Sequence, residues 1–375
     1  MEVYLHNFMN VFEKNVQYMI TIQDMLLDQH TEDNDSLLEE IQNIVNKENI
    51  LEDKIKFTQF LHMLQRLIYI CNDKFNLIND IILSYKEQIQ NTFCSHEVYS
   101  IFFWNRYTLL KLFENRCIDL QTMKKYSDFY KFKYFLPEFR DLDPDFFEET
   151  TLLYQFIPDN SSLSDEDFKR KRELNHSDEK IAELIREDNV EEFIEYISQT
   201  NKSIDDKLTK STFESNWFIF NNPTLYEYAA FFQSMKIFKY LTVNHAKITS
   251  NLPLFAVAGG SYDIIHMLED LKVEFDEDSL IKGIEYHRNE IVTYLHDTFS
   301  LEYTEKCLIS SIKFYNFHFL IDFVHNNPKL IIDGLFNCEF LHCACTNSMI
   351  DLINFMIELP NFDINMKNEN GVCNS

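Results

Sequence analysis

Cys338, His342, Cys343 and Cys345 are the residues whose types and spacing come closest to a metal-binding or reactive cluster. Thiolate sulfur and imidazole nitrogen held within one short segment form the donor set that zinc prefers. A helix, however, turns residues 343 and 345 to different sides, so the segment reads as a helix start in which cysteine serves as a small hydrophobe. The eight cysteines include no C-x-x-C pair and read as reduced thiols. The histidines are scattered: His62, His96, His266 and His296 each lie in an amphipathic stretch with no partner at ligand spacing. No catalytic residue, cofactor site or metal site is therefore assigned, and the chain reads as non-enzymatic.

Other chemistries are disfavoured by composition. No glycine precedes Gly259, so the N-terminal half holds no glycine loop for a nucleotide phosphate. The formal charge of −27 opposes a nucleic-acid partner, which needs clustered Lys and Arg to release counterions. No apolar run reaches the roughly 18 residues of a membrane span, and MEVYLHNFMNVFEKN lacks the basic start and apolar core of a secretion signal. No membrane partner is expected, and the expected location is cytoplasmic. The run KRKR at 169–172 raises a nuclear alternative, but SDED and EL flank it and favour a solvated helix face. In that compartment the sequons at Asn160, Asn175 and Asn201 stay unmodified.

The elements that position these residues follow a repeat. Ala229, Ala256, Gly283, Ser311 and Ala344 recur at spacings of 27, 27, 28 and 33 residues. Three apolar columns follow in step: Ile237, Ile264, Ile291, Phe319, Leu352; then Phe238, Ile265, Val292, Leu320, Ile353; then Leu241, Leu268, Leu295, Phe323, Met356. A further copy, 44 residues upstream, puts Phe193, Ile194 and Ile197 in these columns. A small residue followed by an apolar helix face, repeated at this period, predicts two short antiparallel helices per unit, stacked as a solenoid.

Residues 341–371, LHCACTNSMIDLINFMIELPNFDINMKNENG, resemble one ankyrin repeat, with Leu341, Ala344 and Cys345 in the helix start and Asp363, Asn365 and Gly371 leading onward. Upstream, TLYEYAAFFQSMKIFKYL and GIEYHRNEIVTYL resemble the degenerate ankyrin units of a large uncharacterised family expanded in parasitic protists. HSDEKIAELIREDNVEEFIEYISQTN resembles the entry to that region. The middle units are shorter than the usual ankyrin length of about 33 residues. The turn glycine survives only at Gly260, with Gln233, His287, Tyr315 and Ser348 elsewhere. The resemblance implies a nearly all-helical solenoid with few projecting fingers.

The first proline is Pro137, so a third of the chain holds neither Gly nor Pro. Such a stretch is expected to be helix with polar turns, since hairpins and tight loops call on those residues. Residues 57–70, 74–89 and 95–118 carry apolar positions at three- and four-residue spacing, and Asp35 or Ser36 is the expected cap after the polar break at 31–36. The fold class is all-α: an N-terminal helical domain over 1–150, an acidic linker over 151–175 and an array of about six units over 176–375.

The resemblance further implies that the two residues after each small pair face a concave groove. Here they are Phe231 and Phe232, Glu285 and Tyr286, Lys313 and Phe314, and Thr346 and Asn347. Aromatic side chains in a groove anchor protein partners at small entropic cost; tight packing of short repeats, or cover by the N-terminal helices, would bury them instead. The expected function is a protein-interaction module or adaptor with an unknown protein partner. The alternative is an enzyme or effector with its activity in the N-terminal domain and repeats that recruit substrate. The chain ends at GVCNS, where a further unit would begin, which leaves a face open to a partner, to self-association or to missing sequence.

Overall fold

The structure, a computed structural model, describes residues 2–28, 33–155, 166–329 and 338–358. Among these residues the secondary structure is helical, with no strand and one isolated bridge between Lys207 and Thr224. The all-α expectation holds. The first half comprises α1 (Glu2–Leu27), α2 (Asn34–Lys47), α3 (Lys54–Ile70), α4 (Phe75–Ser84), α5 (Lys86–Thr92), α6 (Ser95–Phe102), α7 (Arg106–Glu114), α8 (Leu120–Lys125), α9 (Phe129–Tyr134), α10 (Leu136–Leu142), α11 (Pro144–Leu153) and α12 (Glu166–Leu174).

Acidic and amide caps start many of these helices, in a stretch without glycine and with few prolines. The side chains of Asp33, Asp53, Asn105, Asp119, Asp128 and Asp143 accept backbone N–H groups of α2, α3, α7, α8, α9 and α11. Each such cap satisfies donors that the first helical turn leaves open. The cap of α2 is Asp33, two residues before the expected Asp35: its Oδ1 accepts from the N–H groups of Asp35 and Ser36, which lie inside the helix.

Six helix pairs follow: α13 (Lys180–Arg186) with α14 (Val190–Thr200), α15 (Leu225–Phe231) with α16 (Met235–Val243), α17 (Leu252–Gly259) with α18 (Tyr262–Asp270), α19 (Glu277–Glu285) with α20 (Asn289–Phe299), α21 (Glu305–Lys313) with α22 (Phe317–Asn326), and α23 (Cys338–Thr346) with α24 (Ile350–Ile357). Between the two helices of each pair sits one residue with positive φ: Asp188, Gln233, Gly260, His287, Tyr315 and Ser348. These are the turn positions read from sequence, with Asp188 added. In five of the six, the next N–H reaches back to a carbonyl five residues earlier, as from Arg288 to Gly283 and from Met349 to Ala344. This is the helix-ending motif that usually takes glycine at the left-handed position.

The apolar columns are the buried face of each second helix. Every residue of the first and third columns is buried, and Ile353 alone of the second is only partly covered. The upstream copy needs a different register. Asp188 and Gln233 are 45 residues apart, not 44, so Phe193 alone of the three assigned residues is buried while Ile194 is exposed. A one-residue shift rotates a helix position by about 100° and carries it off the buried face.

The chain divides into two compact units: residues 1–82 together with 256–375 form one, and the continuous stretch 83–255 forms the other. In the first unit α1 runs along α22 and α24, with Phe12 beside Phe317 (6.2 Å between ring centres) and Phe8 stacked on Phe355 (4.1 Å). In the second, Phe132, Phe139 and Phe146 form an aromatic core, and Arg172 is buried with its guanidinium 2.8 Å from Glu138 Oε1. Part of the expected linker is thus helix α12 with a buried anchor. Only Lys169, Arg170 and Lys171 of the KRKR run behave as a solvated face, paired to Glu166, Asp167 and Asp178. The sequon at Asn160, the residues Asp363, Asn365 and Gly371, and the segment GVCNS lie outside the described residues.

Candidate functional site

The candidate site is, within each unit taken separately, the edge along which first helices end and the chain turns, because the sequence places its interaction residues there. Each expected pair comprises the last helical residue and its cap: Phe231 and Phe232, Glu285 and Tyr286, Lys313 and Phe314, Thr346 and Asn347. The two positions are about 100° apart around the helix, so one neighbour cannot cover both equally. In the first unit the caps Tyr286, Phe314 and Asn347 are buried, Lys313 and Thr346 are exposed, and Glu285 is partly covered and paired with Lys282. In the second unit Phe231 is buried, and Phe232 is half-buried, edge-on to His176 at 5.3 Å. The aromatic stripe is therefore mostly interior, and the residues of the set that face solvent are polar.

Successive turns of the first unit are tied side chain to backbone. His287 Nε2 donates to the Phe314 carbonyl at 2.9 Å, and Tyr315 Oη donates to the Asn347 carbonyl at 2.7 Å. The left-handed residue of one turn thus closes on the cap carbonyl of the next. The N-terminal helices complete the edge. Gln23 of α1 donates through Nε2 to the Tyr315 carbonyl at 2.6 Å, and Gln59 of α3 donates to the Ser348 carbonyl at 2.6 Å, so equivalent carbonyls of two adjacent turns are read by two glutamines. His62 lies parallel to Tyr315 with ring centres 6.4 Å apart, and Arg66 sits 5.2 Å over the Phe314 ring. Buried carbonyls need such partners, since each one left open costs about 1–3 kcal/mol.

Burial sets the protonation here. It lowers the His62 pKa to about 4, with the nearby Arg66 charge acting in the same direction. Burial also lowers His287 to about 4, against the opposing pull of its bond to the Phe314 carbonyl. Both rings are neutral at physiological pH. Burial pushes the Cys343 thiol up to about 12, and its Sγ lies 3.5 Å from the Ile309 carbonyl, whereas Cys345 and His342 are exposed. The described members of the cysteine–histidine cluster thus meet different surroundings, and the Cys338 side chain lies outside the described residues.

Gln23, Gln59, His62 and Arg66 carry the contacts that sequence reading missed. They sit on helical faces with ordinary periodicity, and their partners lie about 250 to 290 residues away, so no local spacing marks them. No helix among the described residues is long and apolar enough to cross a membrane.

Residues 243–325 match a family described as a domain of unknown function (DUF3447). The matched segment runs from the end of α16 to α22 and so contains three of the left-handed turns, at Gly260, His287 and Tyr315. No curated protein and no solved structure matches the chain. Over residues 243–325 the chain is similar to that uncharacterised family.

Proposed function

We propose that the helix pairs form a degenerate ankyrin-like solenoid that serves as a non-enzymatic protein-interaction module. The observation that carries this reading is the row of equivalent end positions, Glu285, Lys313 and Thr346, presented at the turn edge of adjacent pairs, the last two exposed. Stacked repeats display side chains at a fixed step, and an extended partner can be read by such a row. The buried aromatics Phe231, Tyr286 and Phe314 supply rigidity rather than contact in this reading, and Phe232 and Asn347 border the row. The chain's charge of −27 and the polar row favour a protein over a nucleic acid or a membrane as partner.

The test compares proteins captured from native lysate by the full chain and by the Lys313→Glu, Thr346→Arg variant. Both positions are exposed, so helicity and denaturation midpoint should not change. A specific partner lost by the variant supports the row as the recognition edge; an identical set of partners rejects it.

A further inference from the structure

A cleft of about 540 Å³ lies between α20 and α22, floored by the loop that joins α20 to α21. Ser300 takes a left-handed conformation at the end of α20, and the chain then doubles back to bring Glu302 and Tyr303 across from α22. Tyr303 meets Phe319 and Phe323 nearly at right angles, with ring centres 5.5 and 5.8 Å apart. Phe319 and Phe323 are one helical turn apart and stack on each other at 5.6 Å. His296 lies parallel to Tyr303 at 4.1 Å, fixed by its Nδ1–H, which donates to the Leu301 carbonyl at 2.6 Å. The exposed carboxylates of Glu302 and Asp322 complete the lining, and no lysine or arginine is among the described lining residues.

We propose that this cleft binds an organic cation, the ammonium group of a small molecule or of a lysine side chain. Aromatic rings present negative charge on their faces and attract cations at close range. Two carboxylates at the same cleft add attraction of the same sign and repel anions. A hard metal ion would want about six oxygen ligands and would gain nothing from the rings, whereas a quaternary ammonium is weakly hydrated and suits rings and carboxylates together, and a primary ammonium relies more on the carboxylates. The cleft's volume lies within the range of small-ligand sites, roughly 300–1,000 Å³. The site does not depend on the interaction reading above, because its lining includes none of Glu285, Lys313 and Thr346.

The test titrates the full chain with choline and with its uncharged isostere 3,3-dimethylbutan-1-ol, by calorimetry. Choline should bind with Kd on the order of 1 mM, and the isostere at least about tenfold more weakly. Tyr303→Leu should abolish choline binding, and Glu302→Gln, an exposed and structurally mild change, should weaken it about threefold with helicity unchanged. A second arm uses N-acetyl-lysine methylamide and a short lysine-bearing peptide: tighter binding of the peptide assigns the ammonium to a protein partner, and tighter binding of choline to a small molecule. Equal binding of choline and its isostere would make the cleft an apolar crevice and overturn the proposal. So would the absence of binding by every cationic probe up to roughly 50 mM, or binding that neither substitution alters.

Discussion

At the turn edge, the two units bury opposite members of the same residue pair. In the unit of residues 1–82 and 256–375, the caps Phe314 and Asn347 are buried and the preceding Lys313 and Thr346 are exposed. In the unit of residues 83–255, Phe231 is buried and its cap Phe232 is half-buried. The helices end in the same way in both, so local geometry does not select the buried member. In the first unit Arg66 and His62 of α3 lie over Phe314 and Tyr315; in the second, His176 meets Phe232 and Phe218 meets Phe231. A repeat position fixes where a side chain starts, and its neighbours fix whether that side chain serves as core or surface.

The largest effect should come from giving glycine to equivalent left-handed turns. Tyr315→Gly removes backbone strain worth about 1 kcal/mol but empties a fully buried ring site, for a net loss of about 3 kcal/mol. Gln233→Gly, at an exposed side chain, should instead stabilise by up to about 1 kcal/mol. Urea midpoints of the two variants should move in opposite directions; a shift in the same direction would mean that the two turns are not equivalent.

Acid sharpens the same comparison. His62 and His287 have folded-state pKa values near 4, below the ordinary 6.5, so the unfolded chain takes up protons first as pH falls. Their contribution is complete above pH 6.5, declines below it and is spent near pH 4, with up to about 3 kcal/mol at stake for each ring. Denaturation midpoints measured from pH 7 to 4.5 should fall less steeply in His62→Gln than in the parent chain. Parallel slopes would remove His62 from the account.

Gly283 tests how closely the helices of a pair approach. A Cβ there would lie 2.5 Å from Val292 Cγ2 and 3.2 Å from Val257 Cγ1. Valine is β-branched and cannot swing aside freely, so Gly283→Ala should cost about 1–2 kcal/mol despite the higher helix propensity of alanine. A stabilised variant would show that the pair can open without loss.

The smallest expected effect belongs to Gln59→Ala. It leaves the Ser348 carbonyl without its side-chain donor at a partly exposed site and should cost about 1 kcal/mol. Alkylation of the buried Cys343 should quicken if the substitution loosens α3, and an unchanged rate would confine its effect to the hydrogen bond itself.

Much of the second half was legible because its rules are local. The helix-pair turns at Gln233, Gly260, His287, Tyr315 and Ser348 follow from a period in the sequence, and the columns led by Ile237 and Leu241 are the buried faces that the helical spacing demands. The weakest copy, around Phe193, misled by one residue because its small residue is replaced by Leu184 and the register had no anchor. At the candidate site the end positions were found and burial by tight packing or by the N-terminal helices stood as the alternative to an open groove, since Phe231, Tyr286 and Phe314 look the same in sequence whether covered or open.

By itself the sequence determined the all-helical class, the places of five of the six helix-pair turns and the apolar faces of the second helices that follow those five, because capping, backbone strain and helical periodicity act over a few residues. Tertiary structure alone decided that α1 and α3 close the turn edge of the last pairs. Its contacts join Tyr4 to Glu358 and Gln23 to the Tyr315 carbonyl, 354 and 292 residues apart, and hydrogen bonds over such separations depend on shape and position that no local pattern records.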